Sequence, residues 1–295
     1  MFVDGVIIVD KPEGITSHDV VNRVRRLANT RKVGHLGTLD PMATGVLPLV
    51  IGRATRLAQF FSTGDKKYEA RVRFGWATDT YDRMGERAGD PVEPELTFEQ
   101  VGQAFARHRG AILQTPPPFS AKKIAGTPAH RLARKQIPVE LKPVEVHVYS
   151  LDVLKFEGST AEIRVHCSAG TYVRSIAHEV GRALGCGAFL DALRRTASGE
   201  FTEVDARRLP ELQQLAAAGR LMEALIPASQ VLPQFPCAAV DALTAGQIRQ
   251  GRSFRLSPFR TSADSKYVKA ISPEGELIAI GEARLPHLYH PILVL

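Results

Sequence analysis

The sequence predicts an α+β protein: a mixed body followed by a small β-rich tail. Three observations carry this. Tyr68, Ala70, Val72, Phe74 and Trp76 alternate with Glu69, Arg71 and Arg73, the period of a half-buried strand. Thr97-x-x-Gln100 has the form of a capping box opening a helix that runs to about Arg109. Past Pro227, Pro233 and Pro236, the apolar runs Tyr267–Ile271 and Leu277–Ile280 flank Gly275 and read as a hairpin.

The remaining elements follow in order. Gly5-Val6-Ile7-Ile8-Val9, ended by Asp10-Lys11-Pro12, is a buried strand. Ser17 reads as the N-cap of a helix whose apolar face is Val20, Val21, Val24 and Leu27. Val144, Val146 and Val148 form a second alternating strand, and Ile163, Val165 and Cys167 a third. A helix runs from about Tyr172 to Leu184 and is closed by Gly185. Helical segments occupy roughly residues 205–225, after which the prolines mark a linker. The expected boundary puts a main domain at 1–233 and a small one at 234–295. Pro116-Pro117-Pro118 opens a polar, basic stretch at about 118–142 that reads as a long functional loop or inserted arm.

Composition narrows the class. The 295 residues are 44% hydrophobic and 23% charged, which leaves material for a real core. No apolar run approaches the ~20 residues needed to span a bilayer. Met1–Gly5 lacks the basic and then apolar regions of a signal peptide, so the expectation is a cytoplasmic protein. The three cysteines stand far apart without a CxxC pair, and the nine histidines show no ligand spacing. That argues against a disulfide framework and a zinc site. His166 beside Cys167 sits on a strand, where neighbours point to opposite faces.

The formal charge of +7 favours a polyanionic partner. Between 118 and 142, Lys122, Lys123, Arg131, Arg134, Lys135 and Lys142 face one acid, Glu140. Arg25-Arg26, Arg31-Lys32, Arg194-Arg195 and Arg207-Arg208 add basic pairs. Such patches either track a phosphate backbone or are solvated surface.

The chemistry concentrates in Gly34-His35-Leu36-Gly37-Thr38-Leu39-Asp40-Pro41-Met42-Ala43-Thr44-Gly45. Gly37 and Gly45 permit turns that other residues resist, and Pro41 pushes Asp40 toward an extended conformation. A carboxylate held this firmly is either a nucleophile or base, or an ordinary turn aspartate.

This run resembles the catalytic motif of the TruB family of tRNA pseudouridine-55 synthases. Val9-Asp10-Lys11-Pro12-x-Gly14 is similar to that family's lysine–proline motif, and Asp65-Lys66-Lys67-Tyr68 with Thr78-Asp79-Thr80-x-Asp82-x-x-Gly85 to its tyrosine motif and the segment after it. Gln114 through Phe119-Ser120-Ala121-x-Lys123 with Gly126 resembles the start of its RNA-contacting thumb. Ser168-Ala169-Gly170-Thr171-Tyr172-Val173-Arg174 resembles its arginine motif, and Leu193-Arg194-Arg195 its leucine-bearing segment. The motifs run in order from about Gly5 to Phe201. Two positions depart: Leu36 stands where the family commonly has Thr, and His130 where it has Tyr.

The resemblance implies a catalytic domain on a largely antiparallel mixed sheet with flanking helices, a thumb at about 118–142 and a small PUA-like domain at 234–295. It implies that Asp40 is the nucleophile in converting a flipped T-arm uridine to pseudouridine. Arg174 would be its ion-pair partner, Tyr68 would stack on the base, and Lys11, His35, Leu193 and Lys123 would contact substrate. By dipole alone, a helix start is a poor place for an unpaired cation such as Arg174. The implied reaction consumes no nucleotide, redox equivalent or metal, so no cofactor is expected, and the sequence carries no P-loop or Rossmann fingerprint. The implied partner is tRNA, held by its T-arm and acceptor stem, with a monomeric enzyme needing neither membrane nor obligatory protein partner. Two alternatives stay open: a guide-RNA-dependent pseudouridine synthase, and a tRNA-folding chaperone whose catalysis is secondary.

Overall fold

The computed structural model describes residues 4–120, 123–124, 127–128, 141–256 and 265–295, the two dipeptides as backbone only. Its centre is one mixed sheet. We number its main strands β1 (Gly5–Lys11), β2 (Thr44–Ile51), β3 (Lys66–Phe74), β4 (Gly110–Gln114), β5 (Val144–Glu157), β6 (Thr160–Cys167) and β7 (Ala188–Ser198), and they lie in the order β1-β2-β7-β3-β6-β5-β4. Every neighbouring pair is antiparallel except β2 with β7. The expected largely antiparallel mixed sheet is therefore present.

Each strand obeys its pattern. The apolar run of β1 is buried along nearly its whole length, whereas β3 alternates strictly, with Tyr68, Ala70, Val72 and Phe74 buried. Trp76 does not share that face: the strand ends at Phe74, and Gly75 turns the chain at φ +117°. Helix α1 (Ser17–Leu27) is capped by Thr16, not Ser17. Thr16 and Asp19 form the reciprocal capping box, with Asp19 N at 3.0 Å from Thr16 Oγ1 and Thr16 N at 2.9 Å from Asp19 Oδ2. Helix α2 (Phe98–Ala106) carries the predicted Thr97–Gln100 box but stops before Arg109, whose guanidinium turns to the Leu151 carbonyl. Helix α3 (Val173–Ala183) ends before Gly185, at φ +74°. Helix α4 (Leu209–Ala217) falls inside the helical stretch expected at 205–225.

Two cores flank the sheet. On one face, α1 to α4 bury Val20, Val24, Phe105, Ile176, Val180 and Leu212 against strand residues such as Val72, Phe74 and Leu190. On the other, Val6, Ile8, Val46 and Val50 meet a second sheet, whose strands are β8 (Tyr267–Ile271), β9 (Leu277–Leu285) and β10 (Leu288–Val294) with short strands at either edge. Gly275, at φ +83°, makes the predicted β8–β9 hairpin turn. The proline-marked stretch is packed rather than free. Ala228, Val231 and Leu232 are buried between the sheets, and the buried Lys269 donates to the carbonyls of Ser229 (3.0 Å) and Val231 (2.7 Å). Among the described residues no helix is long and apolar enough to cross a membrane.

Candidate active site

A single row crosses four strands. Lys11 on β1 pairs with Gly45 on β2, Gly45 with Arg195 on β7, and Arg195 with Tyr68 on β3. Lys11 and Arg195 are fully buried cations in this row, and Gly45 lets them approach. Its φ is +98°, and a Cβ there would lie 2.2 Å from the Arg195 carbonyl oxygen.

The loop between Val33–His35 and β2 is fastened from below. Lys11 Nζ donates to the carbonyls of Pro12 (2.9 Å), Pro41 (3.2 Å) and Ala43 (2.6 Å). Arg195 donates from Nε to Val46 O (2.8 Å) and from Nη2 to Gly37 O (3.1 Å), and shares a hydrogen bond with the Tyr68 hydroxyl. Burial pulls the Lys11 ammonium down to about 8, against the opposing pull of Asp40 and Glu13. Lys11, expected at the substrate, is fully buried in the structure. It lies under the loop, outside the cleft, and acts on Asp40 through the backbone and through its charge.

Asp40 stands above this floor against Arg174, the second residue of α3. Arg174 Nη2 donates to Oδ1 at 3.2 Å, and Nε lies 2.9 Å from Oδ2 as an ion-pair contact without hydrogen-bond geometry. The rest of the guanidinium is also engaged. Nη1 donates to Thr80 O (2.9 Å) and lies 3.5 Å from Asp82 Oδ2, while Nη2 also donates to Phe119 O (2.9 Å). The side chain of Arg174 is 4% exposed and that of Asp40 33%, so the carboxylate is reachable and its partner is sealed. Burial pushes the Asp40 carboxyl above its ordinary pKa; Arg174 is the main counterforce, and the Asp82 charge adds to the rise.

Asp40 opens on a cleft of about 420 Å³, walled by His35, Tyr68, Leu193, Lys66, Tyr172 and Arg195 among others. Tyr68 is nearly buried, and desolvation pushes its phenol up, so the hydroxyl stays neutral. His35 has no hydrogen-bond partner at Nδ1 among the described residues, and burial with Arg195 nearby holds it below the usual imidazole range. Leu193 lies on the central strand β7 and not on a helix, which is how it reaches both core and cleft. Lys123 sits in a two-strand ladder with Pro128, but its side chain lies outside the described residues, as does His130. Leu36 lines the cleft and packs in the second core. Among the described residues no three His, Cys, Asp or Glu side chains are grouped to hold a metal ion.

The model of the TruB family pseudouridylate synthase N-terminal domain matches residues 25–173, and that of the tRNA pseudouridylate synthase B C-terminal domain matches 174–233. The chain is 60% identical over 293 residues to the tRNA pseudouridine synthase B of Solibacter usitatus, covering 99% of this chain and 100% of that one. It is 39% identical over 284 residues to that of Aquifex aeolicus, covering 96% of each. This chain belongs to the TruB family of pseudouridylate synthases. Among solved structures it resembles a chain of a Cbf5-Nop10-Gar1 complex, with TM-score 0.71, 28% identity and coverage of 96% of this chain and 79% of that one. It also resembles a chain of an H/ACA RNP bound to a substrate RNA containing 2'-deoxyuridine, with TM-score 0.71, 26% identity and coverage of 99% and 84%.

The chain is thus an isomerase that forms pseudouridine in tRNA. In this TruB-family site, Asp40, Tyr68, Arg174, His35 and Leu193 converge on one cleft. Arg195 is not singled out by its sequence, where Arg194-Arg195 is one of the basic pairs that either track a phosphate backbone or are solvated surface. The structure divides the two. Arg195 is 1% exposed and holds the Gly37 turn, and Arg194 is bound to Asp10 (3.0 Å) and Glu203 (2.6 Å). Gln114, named only as the start of the thumb-like stretch, and Ser175, not named at all, also support the site. Gln114 receives the amide of Tyr172 (2.8 Å) and donates to its carbonyl (3.1 Å), while Ser175 donates to Thr115 O (2.9 Å), tying the root of the 118–142 segment to the arginine helix.

Proposed function

We propose that the enzyme isomerises the T-arm uridine at position 55 of tRNA, with Asp40 as nucleophile. The observation that carries this is the ion pair of the buried Arg174 with a partly exposed Asp40 that opens on the cleft. Burial raises the carboxyl pKa; the guanidinium opposes that rise and orients the carboxylate. The uridine leaves its stack, at a cost of a few kcal/mol offset by contacts in the pocket. Tyr68 and Leu193 pack against the uracil, and His35 lies beside the RNA at the cleft wall. The N1 glycosidic bond breaks, the base turns, and C5 bonds to the sugar while its proton leaves and N1 gains one. The segment at 118–142, with Lys123, clamps the T-arm, and the 234–295 unit, read as PUA-like, contacts the acceptor stem. The enzyme works as a monomer without a protein partner.

Tritium release from C5-labelled uridine in a tRNA transcript tests this. Release is expected from the wild type and none from Asp40→Asn. Equal release by both removes Asp40 from its role. The likeness to chains of H/ACA complexes supports one second reading, a dependence on guide RNA. Turnover of a bare transcript by the purified chain excludes it.

A further inference from the structure

Thr80 and Asp82 hold the outer side of Arg174, and Tyr81 stands between them. Arg174 Nη1 takes the Thr80 carbonyl at 2.9 Å and faces Asp82 Oδ2 at 3.5 Å. The backbone torsions at Tyr81 therefore set the angle between the two acceptors that this nitrogen meets.

Those torsions are unusual. Tyr81 has φ +64°, in the left-handed region where a bulky side chain is rarely found. Such a conformation persists only when its surroundings over-determine it. The turn is crowded: Asp82 Oδ1 receives Thr80 Oγ1 (2.8 Å) and Met84 N (3.0 Å), and a Cβ on Gly85 would lie 2.3 Å from Asp79 Oδ1. Its backbone is tied to β7, where Leu190 N donates to Tyr81 O at 3.0 Å.

The side chain of Tyr81 has a separate anchor. Its ring lies on the imidazole of His178, with centroids 3.7 Å apart and planes 13° from parallel. His178 is on α3 one turn beyond Arg174, a spacing that places both on one side of the helix. Neither Tyr81 nor His178 lines the cleft.

We infer that Tyr81 and His178 form a positioning pair: the stack pins the strained turn to the helix that carries Arg174, and so fixes the guanidinium that orients Asp40. This rests on the assignment of Asp40 and Arg174 to the reaction. The pair touches no substrate. It acts by keeping the Thr80 carbonyl and the Asp82 carboxylate in register with Nη1. A flat neutral ring suits the contact, and burial with Arg182 nearby holds His178 below the usual imidazole range.

The test is steady-state turnover of tRNA by His178→Ala, His178→Phe, Tyr81→Gly and the Tyr81→Gly/His178→Ala double variant, with Asp40→Asn alongside and melting temperatures recorded. Tyr81→Gly removes the ring at a position glycine adopts freely, so it yields a folded variant. The expected result is kcat lower by about tenfold in Tyr81→Gly and in His178→Ala, with KM for tRNA unchanged, since misplaced catalytic groups cost rate rather than binding. His178→Phe keeps a stacking ring and regains most of the rate. The double variant is no slower than either single one, because both remove the same contact. Unchanged kcat in both single variants, additive losses in the double one, or a His178→Phe as slow as His178→Ala overturns the pair. A lowered melting temperature with normal kcat shows a structural role only and also overturns it. Inactive Asp40→Asn beside normal Tyr81→Gly sinks this inference alone; active Asp40→Asn sinks the assignment beneath it as well.

Discussion

Ser17 and Leu39 form a reciprocal pair across the α1–loop junction: the buried hydroxyl accepts the Leu39 amide at 2.8 Å and donates to the Leu39 carbonyl at 2.9 Å. Both backbone groups next to Asp40 are satisfied by one side chain 22 residues away. Ser17→Ala orphans them, each at a cost of about 1–3 kcal/mol. The variant is expected to unfold at lower urea and turn over more slowly. Thr16→Ala removes the true helix cap and costs about 1 kcal/mol with normal turnover. If urea midpoints and rates rank the two variants the other way, the hydroxyl has been misassigned.

Lys11 gives a pH signature. In the folded chain its ammonium releases a proton near pH 8, in the unfolded chain near the ordinary lysine value of 10.5. Between these values the unfolded state holds more protons, so this group's contribution to stability rises with pH through that window and is flat below it. Lys11→Met removes the slope, and it weakens the loop by leaving the Pro41 and Ala43 carbonyls without their donor. Urea midpoints measured from pH 7.5 to 10 should rise more steeply in the wild type than in the variant; parallel curves would refute the buried cation.

Arg195 serves three acceptors at once: Val46 O, Gly37 O and the Tyr68 hydroxyl. A lysine offers one ammonium and cannot span them in a planar fork. Arg195→Lys is expected to lose several kcal/mol of stability, since breaking a buried polar network costs about 3–5 kcal/mol. Wild-type melting and turnover in Arg195→Lys would show that the row across the sheet is not what holds the Gly37 turn.

Asp82 adds a negative charge beside Asp40 and raises its carboxyl pKa. With Asp40 as the proposed nucleophile, its protonation stops turnover, so the acid limb of the turnover profile is expected to follow that pKa. Asp82→Asn removes the charge, and the limb is expected to move to lower pH while the plateau rate falls through looser support of Arg174. A limb that stays put or moves to higher pH contradicts the electrostatic ordering of the site.

The loop around Asp40, the tyrosine strand and the arginine helix were readable because each is set by local chemistry: paired glycines, strict alternation, and a helix bounded by Gly185. What was not readable depends on distant partners. Thr16 and Ser17 are adjacent hydroxyls with equal claim to the cap; Asp19 three residues on decides for Thr16, and Leu39 then takes Ser17. The β7 segment, rich in Ala, Leu and Arg, suits a helix locally but is fixed as a strand by β2 and β3 on either side. Arg195 looks like surface because its acceptors are 149 and 158 residues away. The prolines at 227–236 do interrupt regular structure, yet the core formed with β9 and β10 pulls the chain between them inward.

The place of β7 also fixes when the site can come into being. Lys11, Asp40 and Tyr68 emerge early from the N-terminal end, but the strand that locks their row is residues 188–198, and the clamp on Asp40 waits for residue 174. Contacts of such span are the last that a growing chain can make. A nascent chain therefore carries the early motifs before their partners, and the row and the ion pair around Asp40 are complete only once roughly two thirds of the polypeptide has been made and β7 pairs with β2 and β3.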